Sequence, residues 1–298
     1  MEITAEPVRE KTNPNFEEQF ANHLTLRNGS AVIKFVDLEP EEHGNGIPIM
    51  LAAGWSETIS YYKRALQVIF DENFRTIALD YPRKGEQNRI ESEFPKAQLR
   101  KAQAILAVIE GRNIDKVDVI AHSEGAVSIC IAASLKPERF RNIVLVSPGG
   151  LIGKDNLASL AIRFALTSLK EALEFRKLSP NFEKSNDFGI LKFFLENPKR
   201  ALDETRGLSQ FDISNLLKKL GDLGIGISII HGVDDSLFQT QKIIETAKQN
   251  PPLDVKGFYS VKGGHTKLAR DPAYVRAALD ALTSLEYQRS QRENRSQP

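Results

Sequence analysis

The stretch KVDVIAHSEGAV, residues 116–127, decides how the rest of the chain is interpreted. Its first half is short and mostly apolar, which is typical of a buried strand in a parallel sheet. Ser123 follows, with the small residues Ala121 and Gly125 two positions before and after it. Small residues there permit the strained strand-to-helix turn called a nucleophile elbow, which lifts a serine hydroxyl above the sheet edge. The helix predicted over 126–133 would point its unpaired N–H groups towards that hydroxyl.

The pentapeptide at 121–125 also fits an ordinary strand–turn–helix in which Ser123 is a helix N-cap. Position 121 is Ala where the usual pattern has Gly. Because the elbow motif is confirmed only by its structural context, the remainder of the chain has to decide between the two interpretations.

Composition places the chain among ordinary globular proteins. Its 298 residues are 41% hydrophobic and 27% charged, with a formal net charge of +1. A chain of this length can bury a large core, and the near-neutral charge argues against nucleic acid or an anionic membrane as partner. Cys130 is the single cysteine, so no internal disulfide framework forms and a reducing compartment is expected.

The N-terminal sequence lacks the basic and apolar regions of a secretory signal, and no apolar run approaches the length of a membrane span. We therefore expect a cytoplasmic protein with no membrane span. The partner is expected to be a small-molecule substrate. No cofactor and no metal site is predicted, and the oligomeric state is not predicted.

Strands alternate with helices along most of the chain, which predicts a parallel, doubly wound sheet covered on both faces. The Asn28-Gly29 pair predicts a hairpin turn near the beginning. The predicted strands are 23–27, 31–36, 47–53, 74–80, 116–122, 141–147, 225–230 and 255–261. The predicted helices are 58–71, 95–110, 126–133, 240–248 and 268–285.

The alternation breaks between residues 150 and 220, where a long helix over 155–178 and further helical pieces are predicted. This organisation predicts a helical cap, or lid, at 150–220 inserted between two strands of the second half. The α/β core would then comprise 22–149 and 221–287, with a loosely held polar arm at 1–21 and a frayed polar tail at 288–298.

A serine hydroxyl is a weak nucleophile until a base removes its proton, and a third group must orient that base. Among the five histidines, His265 is best placed because it follows Gly263-Gly264 between a strand and the last helix. Two adjacent carboxylates after the strand at 225–230, Asp234 and Asp235, compete to be the orienting acid. Aspartates commonly cap turns, but serine, aspartate and histidine in this order, each just past a strand, favour a catalytic triad.

Taken together, these residues resemble the α/β-hydrolase superfamily from about residue 22 to 287. The segments that match are Ala-Gly-Trp at 53–55, Leu-Asp-Tyr-Pro at 79–82, Ala-His-Ser-Glu-Gly at 121–125, His-Gly-Val-Asp-Asp at 231–235 and Gly-Gly-His at 263–265. The resemblance implies that the acid is Asp235, three residues after the glycine of His-Gly-x-x-Asp. It also implies an oxyanion hole formed by the backbone N–H groups of Trp55 and Glu124.

Three positions depart from the usual pattern of the superfamily. Ala53 stands where many members have His, Glu124 where Met or Gln is commoner, and Phe238 where a proline often follows the acid. We expect the Glu124 carboxylate to act as a favourable charge at a helix N-terminus rather than to contact substrate. The serine at 123 argues against dehalogenase or epoxide-hydrolase chemistry, for which related members have aspartate.

The sequence thus predicts a carboxylesterase-like serine hydrolase that cleaves a small to medium, hydrophobic ester or thioester through an acyl-enzyme on Ser123. We also expect Gly54, His122 and Phe164 to contact the substrate. Apolar surface over the elbow would come from the cap residues Leu157, Leu160, Phe164, Phe175, Phe193 and Phe194. The alternatives are a hydrolase-fold ligand receptor with little turnover, and an acyltransferase or perhydrolase that uses the same serine. Amide or carbon–carbon bond hydrolysis would use the same groups.

Overall fold

The computed structural model describes residues 14–41, 46–55, 57–88, 90–151, 156, 159–160, 162–164, 166–167, 198–249 and 256–295. Its strands are β1 (Leu24–Asn28), β2 (Ala31–Leu38), β3 (Ile49–Ala52), β4 (Thr76–Asp80), β5 (Val117–His122), β6 (Phe140–Val146), β7 (Gly226–Gly232) and β8 (Gly257–Val261). Its α-helices are α1 (Pro14–Ala21), α2 (Lys63–Asp71), α3 (Lys96–Gly111), α4 (Gly125–Leu135), α5 (Pro198–Gln210), α6 (Ser214–Asp222), α7 (Thr240–Gln249), α8 (Lys267–Arg270) and α9 (Pro272–Arg295). Short 3₁₀ helices lie at Ile59–Tyr62 and Pro137–Arg139.

The eight strands form one sheet in the order β1-β2-β4-β3-β5-β6-β7-β8. β2 pairs antiparallel with β1 and β4, and every other neighbouring pair is parallel. Helices α1, α2, α8 and α9 pack together on one face, whereas α3 contacts α4 and α5, and α4 contacts α6, on the other. The predicted doubly wound, mostly parallel sheet is therefore confirmed.

Strand β5 lies at the centre of the sheet, and all six of its residues are buried. Ile120 pairs with Leu51 of β3 on one side and with Val144 of β6 on the other. A strand buried on both faces and both edges needs a mostly apolar sequence, which Val117, Val119, Ile120 and Ala121 supply. The carboxyl end of β5, where Ser123 follows, is therefore held by a neighbouring strand on each side.

The hairpin predicted at Asn28-Gly29 joins β1 to β2, with Asn28 paired to Ala31. Gly29 has φ of +63°, and a Cβ there would lie 2.4 Å from the Glu86 carbonyl oxygen. Glycine is thus required both by the turn and by the approach of the loop after β4.

Three predictions about helices are wrong. Residues 14–21, expected to be a loose arm, form α1, because Phe16 is fully buried and stacks on Phe20 at 5.5 Å between ring centroids. The predicted helix over 268–285 is broken at Asp271, because Pro272 disfavours helical backbone in the preceding residue, whose φ and ψ are −118° and 111°. The expected frayed tail is helical as far as Arg295.

Most of the helix predicted over 155–178 lies outside the described residues, as do Leu157, Phe175, Phe193 and Phe194. Within the predicted cap, α5 and α6 are described, and Leu160 and Phe164 are buried. None of the helices in the described ranges combines the length and apolar character needed to span a lipid bilayer.

Candidate active site

Ser123 occupies the sharp turn between β5 and α4. Its φ of 54° is in the left-handed region that a non-glycine residue adopts rarely, and its backbone N–H donates to the Val146 carbonyl at 3.0 Å. A Cβ on Gly125 would lie 2.5 Å from the carbonyl oxygen of Ala52 and 2.7 Å from that of Ala53. Only glycine allows α4 to begin so close to the end of β3. The turn therefore has the geometry expected of a nucleophile elbow.

His265 reaches Ser123 from the loop after β8. Its Nε2 lies 2.9 Å from Ser123 Oγ, and its Nδ1 lies 2.8 Å from Asp235 Oδ2. This loop can pass close to the end of β7 because Gly263 adopts φ of +142° and Gly232 has no side chain. A Cβ on Gly232 would lie 2.4 Å from the Gly263 carbonyl oxygen. The structure thus brings together the three residues predicted as a triad.

Asp235 and not Asp234 is the carboxylate bound to His265. Asp235 is buried, whereas Asp234 is exposed. The other carboxylate oxygen, Oδ1, accepts hydrogen bonds from the backbone N–H groups of Leu237 at 2.9 Å and Phe238 at 3.0 Å. A proline at position 238 has no N–H to donate, so Phe238 adds a bond to the acid at this departure from the superfamily pattern.

These contacts keep Asp235 ionised. Burial alone would raise the pKa of this carboxyl group, but the charge of His265, its hydrogen bond and the Phe238 N–H outweigh burial and lower the pKa below its ordinary value. An ionised Asp235 accepts from His265 Nδ1–H, which leaves Nε2 without a proton and able to accept one from the Ser123 hydroxyl.

The other side of Ser123 is formed by the loop after β3. A Cβ on Gly54 would lie 3.0 Å from Ser123 Cβ, so the backbone of this loop packs directly against the nucleophile position. Trp55 is buried, and its ring lies 4.3 Å from the ring of Phe164. Thr167 Oγ1, farther along the insert, lies 2.8 Å from Ser236 Oγ, beside the acid. Two described residues of the insert, Phe164 and Thr167, therefore lie against the loops on either side of Ser123.

Glu124 lies at the N-cap of α4, and its carboxylate has partners that the sequence did not indicate. Its carboxylate makes no capping hydrogen bond to α4; Oε2 lies 2.5 Å from Lys101 Nζ, which also lies 3.0 Å from Glu204 Oε2. All three side chains are at most 2% exposed. Burial raises the pKa of Glu124, the Lys101 charge opposes this rise, and the Glu204 charge adds to it. The carboxylate thus belongs to an ion cluster that joins the elbow to α3 and α5.

His122 does not face a substrate, contrary to the expectation. It is fully buried, with Nε2 2.8 Å from the His265 carbonyl oxygen and Nδ1 2.6 Å from the Tyr62 hydroxyl. Glu57 Oε2 lies 3.2 Å from the same Nδ1 and is also bonded to the Tyr62 hydroxyl. The same oxygen accepts the Gly54 N–H at 2.6 Å. Both ring nitrogens of His122 are therefore used within the protein.

This second carboxylate–histidine pair holds the two loops that flank Ser123. A carbonyl oxygen only accepts, so His122 Nε2 carries a proton. His122 Nδ1, the Tyr62 oxygen and Glu57 Oε2 all lie within hydrogen-bonding distance of one another. Each contact needs a donor, and this requires two protons among the three atoms. Burial alone would raise the pKa of Glu57, but the charge and hydrogen bond of His122, with the Tyr62 bond, lower it. The cluster therefore fixes the His265 backbone relative to Gly54.

Sequence reasoning missed Glu57, Tyr62, Lys101 and Glu204. Glu57 carried a weak signal, since it lies three residues after Gly54 in the loop singled out for the oxyanion hole. The other three lie on helices far along the chain from the elbow, and no local pattern connects them to it. Within the described ranges, no group of three or more His, Cys, Asp or Glu side chains is arranged to hold a metal ion.

Comparison with known proteins identifies the fold. The sequence matches no family model and no curated protein sequence. Among solved structures, an esterase from Thermogutta terrifontis is 16% identical with a TM-score of 0.62, covering 89% of this chain and 99% of its own. A carboxylesterase from Bacillus subtilis is 17% identical with a TM-score of 0.59, and the match covers 90% of this chain and 95% of that protein. An enol-lactonase from Burkholderia xenovorans LB400 is 14% identical with a TM-score of 0.64, and the match covers 87% of this chain and 100% of that protein.

Proposed function

We propose that this chain, which has the α/β-hydrolase fold, is a serine hydrolase that cleaves carboxylic esters or thioesters through an acyl-enzyme on Ser123. The observation that carries the proposal is the unbroken hydrogen-bonded chain from Asp235 through His265 to Ser123. The similarity to an esterase, a carboxylesterase and an enol-lactonase supports the same class of reaction.

In the first half-reaction, Ser123 Oγ attacks the substrate carbonyl carbon while His265 Nε2 takes the hydroxyl proton. The carbonyl oxygen becomes an oxyanion, which the backbone N–H groups of Trp55 and Glu124 would stabilise. The C–O or C–S bond to the leaving group then breaks, and the proton on His265 passes to that group. Asp235 holds His265 in the required tautomer and stabilises the imidazolium that forms.

In the second half-reaction, water attacks the acyl-enzyme carbonyl and gives its proton to His265 Nε2. The tetrahedral intermediate collapses, the bond to Ser123 Oγ breaks, and the serine recovers its proton from His265 as the acid leaves. The apolar contact between Trp55 and Phe164 places hydrophobic surface beside the elbow, which favours an apolar group next to the scissile bond.

Ester kinetics test this proposal. Purified protein is assayed with p-nitrophenyl acetate, butyrate and octanoate, alongside Ser123→Ala and His265→Ala. Ser134→Ala is the matched control, because that serine lies on α4 and, among the described residues, its hydroxyl bonds to the Ile131 carbonyl of its own helix. We expect kcat to fall by about 10⁴ to 10⁶ in the two triad variants and to change little in the control. Wild-type turnover no faster than that of Ser123→Ala would refute the hydrolase and favour a ligand receptor of the same fold.

A further inference from the structure

A cavity of about 960 Å³ lies beside the elbow, between the loop after β4, the beginning of α3 and helix α5. Its volume is within the range of small-molecule sites. None of its described lining residues belongs to the triad, so it is separate from the site of bond cleavage. We call it the α3–α5 cleft. Its wall contains six basic side chains: Arg83, Lys96, Arg100, Lys101, Lys199 and Arg206.

The charge of this cleft is strongly positive compared with the chain as a whole. Three carboxylates, Glu93, Asp203 and Glu204, also line it, so six cations face three anions. Glu204 and Lys101 are buried and bonded to each other, and Lys101 is also bonded to Glu124, so neither of the two lining residues is available at the opening. Arg83 also has an interaction within the protein, which leaves four basic and two acidic side chains in the rest of the lining, in a chain whose net charge is only +1. Like charges gathered in one concave site repel, and a bound anion offsets that repulsion.

The position of Lys96 strengthens this inference. It is the first residue of the 16-residue helix α3, whose first turn contains no acidic residue. Helix N-termini favour negative charge, so a lysine there contributes unfavourably to helix stability. An anion bound in the cleft would interact favourably with this lysine and with the helix dipole at the same time.

Two side chains at the inner end of the cleft, Lys101 and Tyr81, contact the segments that would form the oxyanion hole. Lys101 bonds to Glu124, the residue after Ser123, and lies 5.0 Å from the centre of the Tyr81 ring. The Tyr81 hydroxyl lies 3.5 Å from the carbonyl oxygen of Ala53, two residues before Trp55. Lys101 and Tyr81 thus lie between the cleft and the two segments that flank Ser123.

We propose that the α3–α5 cleft binds an anionic oxygen group, a carboxylate or a phosphate, which either belongs to a substrate long enough to reach from the cleft to Ser123 or is a separate small anion. The substrate assignment rests on the proposed hydrolase function; the anion site itself does not. Arginine pairs with carboxylate and phosphate through two parallel hydrogen bonds, which makes this lining suited to either group. A separate small anion bound beside the substrate would use the same chemistry.

A kinetic comparison distinguishes these two sources. The p-nitrophenyl half-esters of succinic, adipic and suberic acid are compared with the p-nitrophenyl esters of butyric, hexanoic and octanoic acid, which have the same chain lengths and no charge. We expect kcat/KM for at least one half-ester to exceed that of its neutral partner by about tenfold or more. The preference should fall by about tenfold in Lys96→Gln/Arg206→Gln. Both side chains are exposed, so the variant is expected to fold.

Direct binding tests the site independently of catalysis. Calorimetry with inorganic tripolyphosphate should show binding to the wild type that weakens about tenfold in Lys96→Gln/Arg206→Gln. Lys218→Gln/Lys219→Gln is the matched control, because it removes two exposed lysines of α6 and changes the net charge equally. The control should retain both the binding and the half-ester preference.

Each outcome has a defined meaning. A half-ester preference lost only in the cleft variant supports the anionic substrate. Tripolyphosphate binding lost only in the cleft variant, without a half-ester preference, supports the anion site and overturns the assignment to the substrate. Binding with no turnover of any ester supports the site while the proposed hydrolase function fails. Neither binding nor preference, or equal losses in the two variants, overturns the inference.

Discussion

Replacing Lys101 by methionine would leave the Glu124 and Glu204 carboxylates buried without the ammonium group that both contact. Lys101 Nζ lies 2.5 Å from one carboxylate and 3.0 Å from the other, and each side chain is at most 2% exposed. Removing one partner of a buried ion pair costs about 3–5 kcal/mol, because the remaining charge stays desolvated. Here two carboxylates lose their partner, and proton uptake by one of them limits the loss. We expect the free energy of unfolding to fall by about 3–5 kcal/mol.

Urea unfolding followed by tryptophan fluorescence measures this loss, since the single tryptophan, Trp55, is buried beside the site. Lys218→Met, at an exposed position of α6, should change the unfolding free energy by less than about 0.5 kcal/mol. Combining Lys101→Met with Glu124→Gln and Glu204→Gln removes the buried charges and should recover part of the stability. A loss below about 1 kcal/mol in Lys101→Met, or no recovery in the triple variant, would refute the reasoning.

Three further predictions concern the triad, the elbow and acid stability. Asp235→Asn should lower ester kcat by about 10⁴ because the carboxylate no longer fixes the His265 tautomer, whereas Asp234→Asn should leave kcat nearly unchanged. Gly125→Ala, whose Cβ would lie 2.5 Å from the Ala52 carbonyl oxygen, should lower both the melting temperature and kcat; a variant with wild-type values would contradict the tight turn. Asp37, on β2, accepts hydrogen bonds from the guanidinium groups of Arg75 and Arg112. Burial alone would raise the pKa of this carboxyl group, but the two arginines lower it below 3.8, so the stabilisation is present above pH 3.8 and is lost as the pH falls through the lowered pKa. The difference in unfolding free energy between wild type and Asp37→Asn should accordingly shrink in acid; a constant difference from neutral pH to pH 2 would contradict it.

The elements around the elbow could be predicted because their signals are local. The mostly apolar run at 117–121 lies just before Ser123 and Gly125, and the structure has a fully buried strand and a tight turn there. Likewise, Gly263-Gly264 before His265 indicated a loop that turns over the sheet edge. Strand–helix alternation then determined the sheet, since parallel neighbours require helical crossovers.

Two of the wrong helix predictions had usable signals in the sequence. Phe16 and Phe20 are four residues apart, the spacing of one helix face, within a segment whose overall polarity suggested a loose arm. Pro272 likewise marked the break between α8 and α9. In both cases the prediction followed the average pattern of the segment rather than these particular residues.

The roles of His122 and Glu124 could not be predicted, because their partners are distant in sequence. His122 bonds to Tyr62, 60 residues earlier, and Glu124 bonds to Lys101, 23 residues earlier, which in turn bonds to Glu204. Such pairs depend on how the helices pack on the sheet. Local periodicity specifies which face of a helix is buried, but not which buried polar groups meet.

Covalent labelling tests the central claim, that Ser123 is an activated nucleophile, most directly. The wild-type protein is treated with a fluorophosphonate and the adduct is located by mass spectrometry, with His265→Ala and Ser134→Ala treated in parallel. We expect one adduct on Ser123, formed at least about 10²-fold more slowly in His265→Ala and at the wild-type rate in Ser134→Ala. No adduct on Ser123, or equal labelling rates with and without His265, would contradict it.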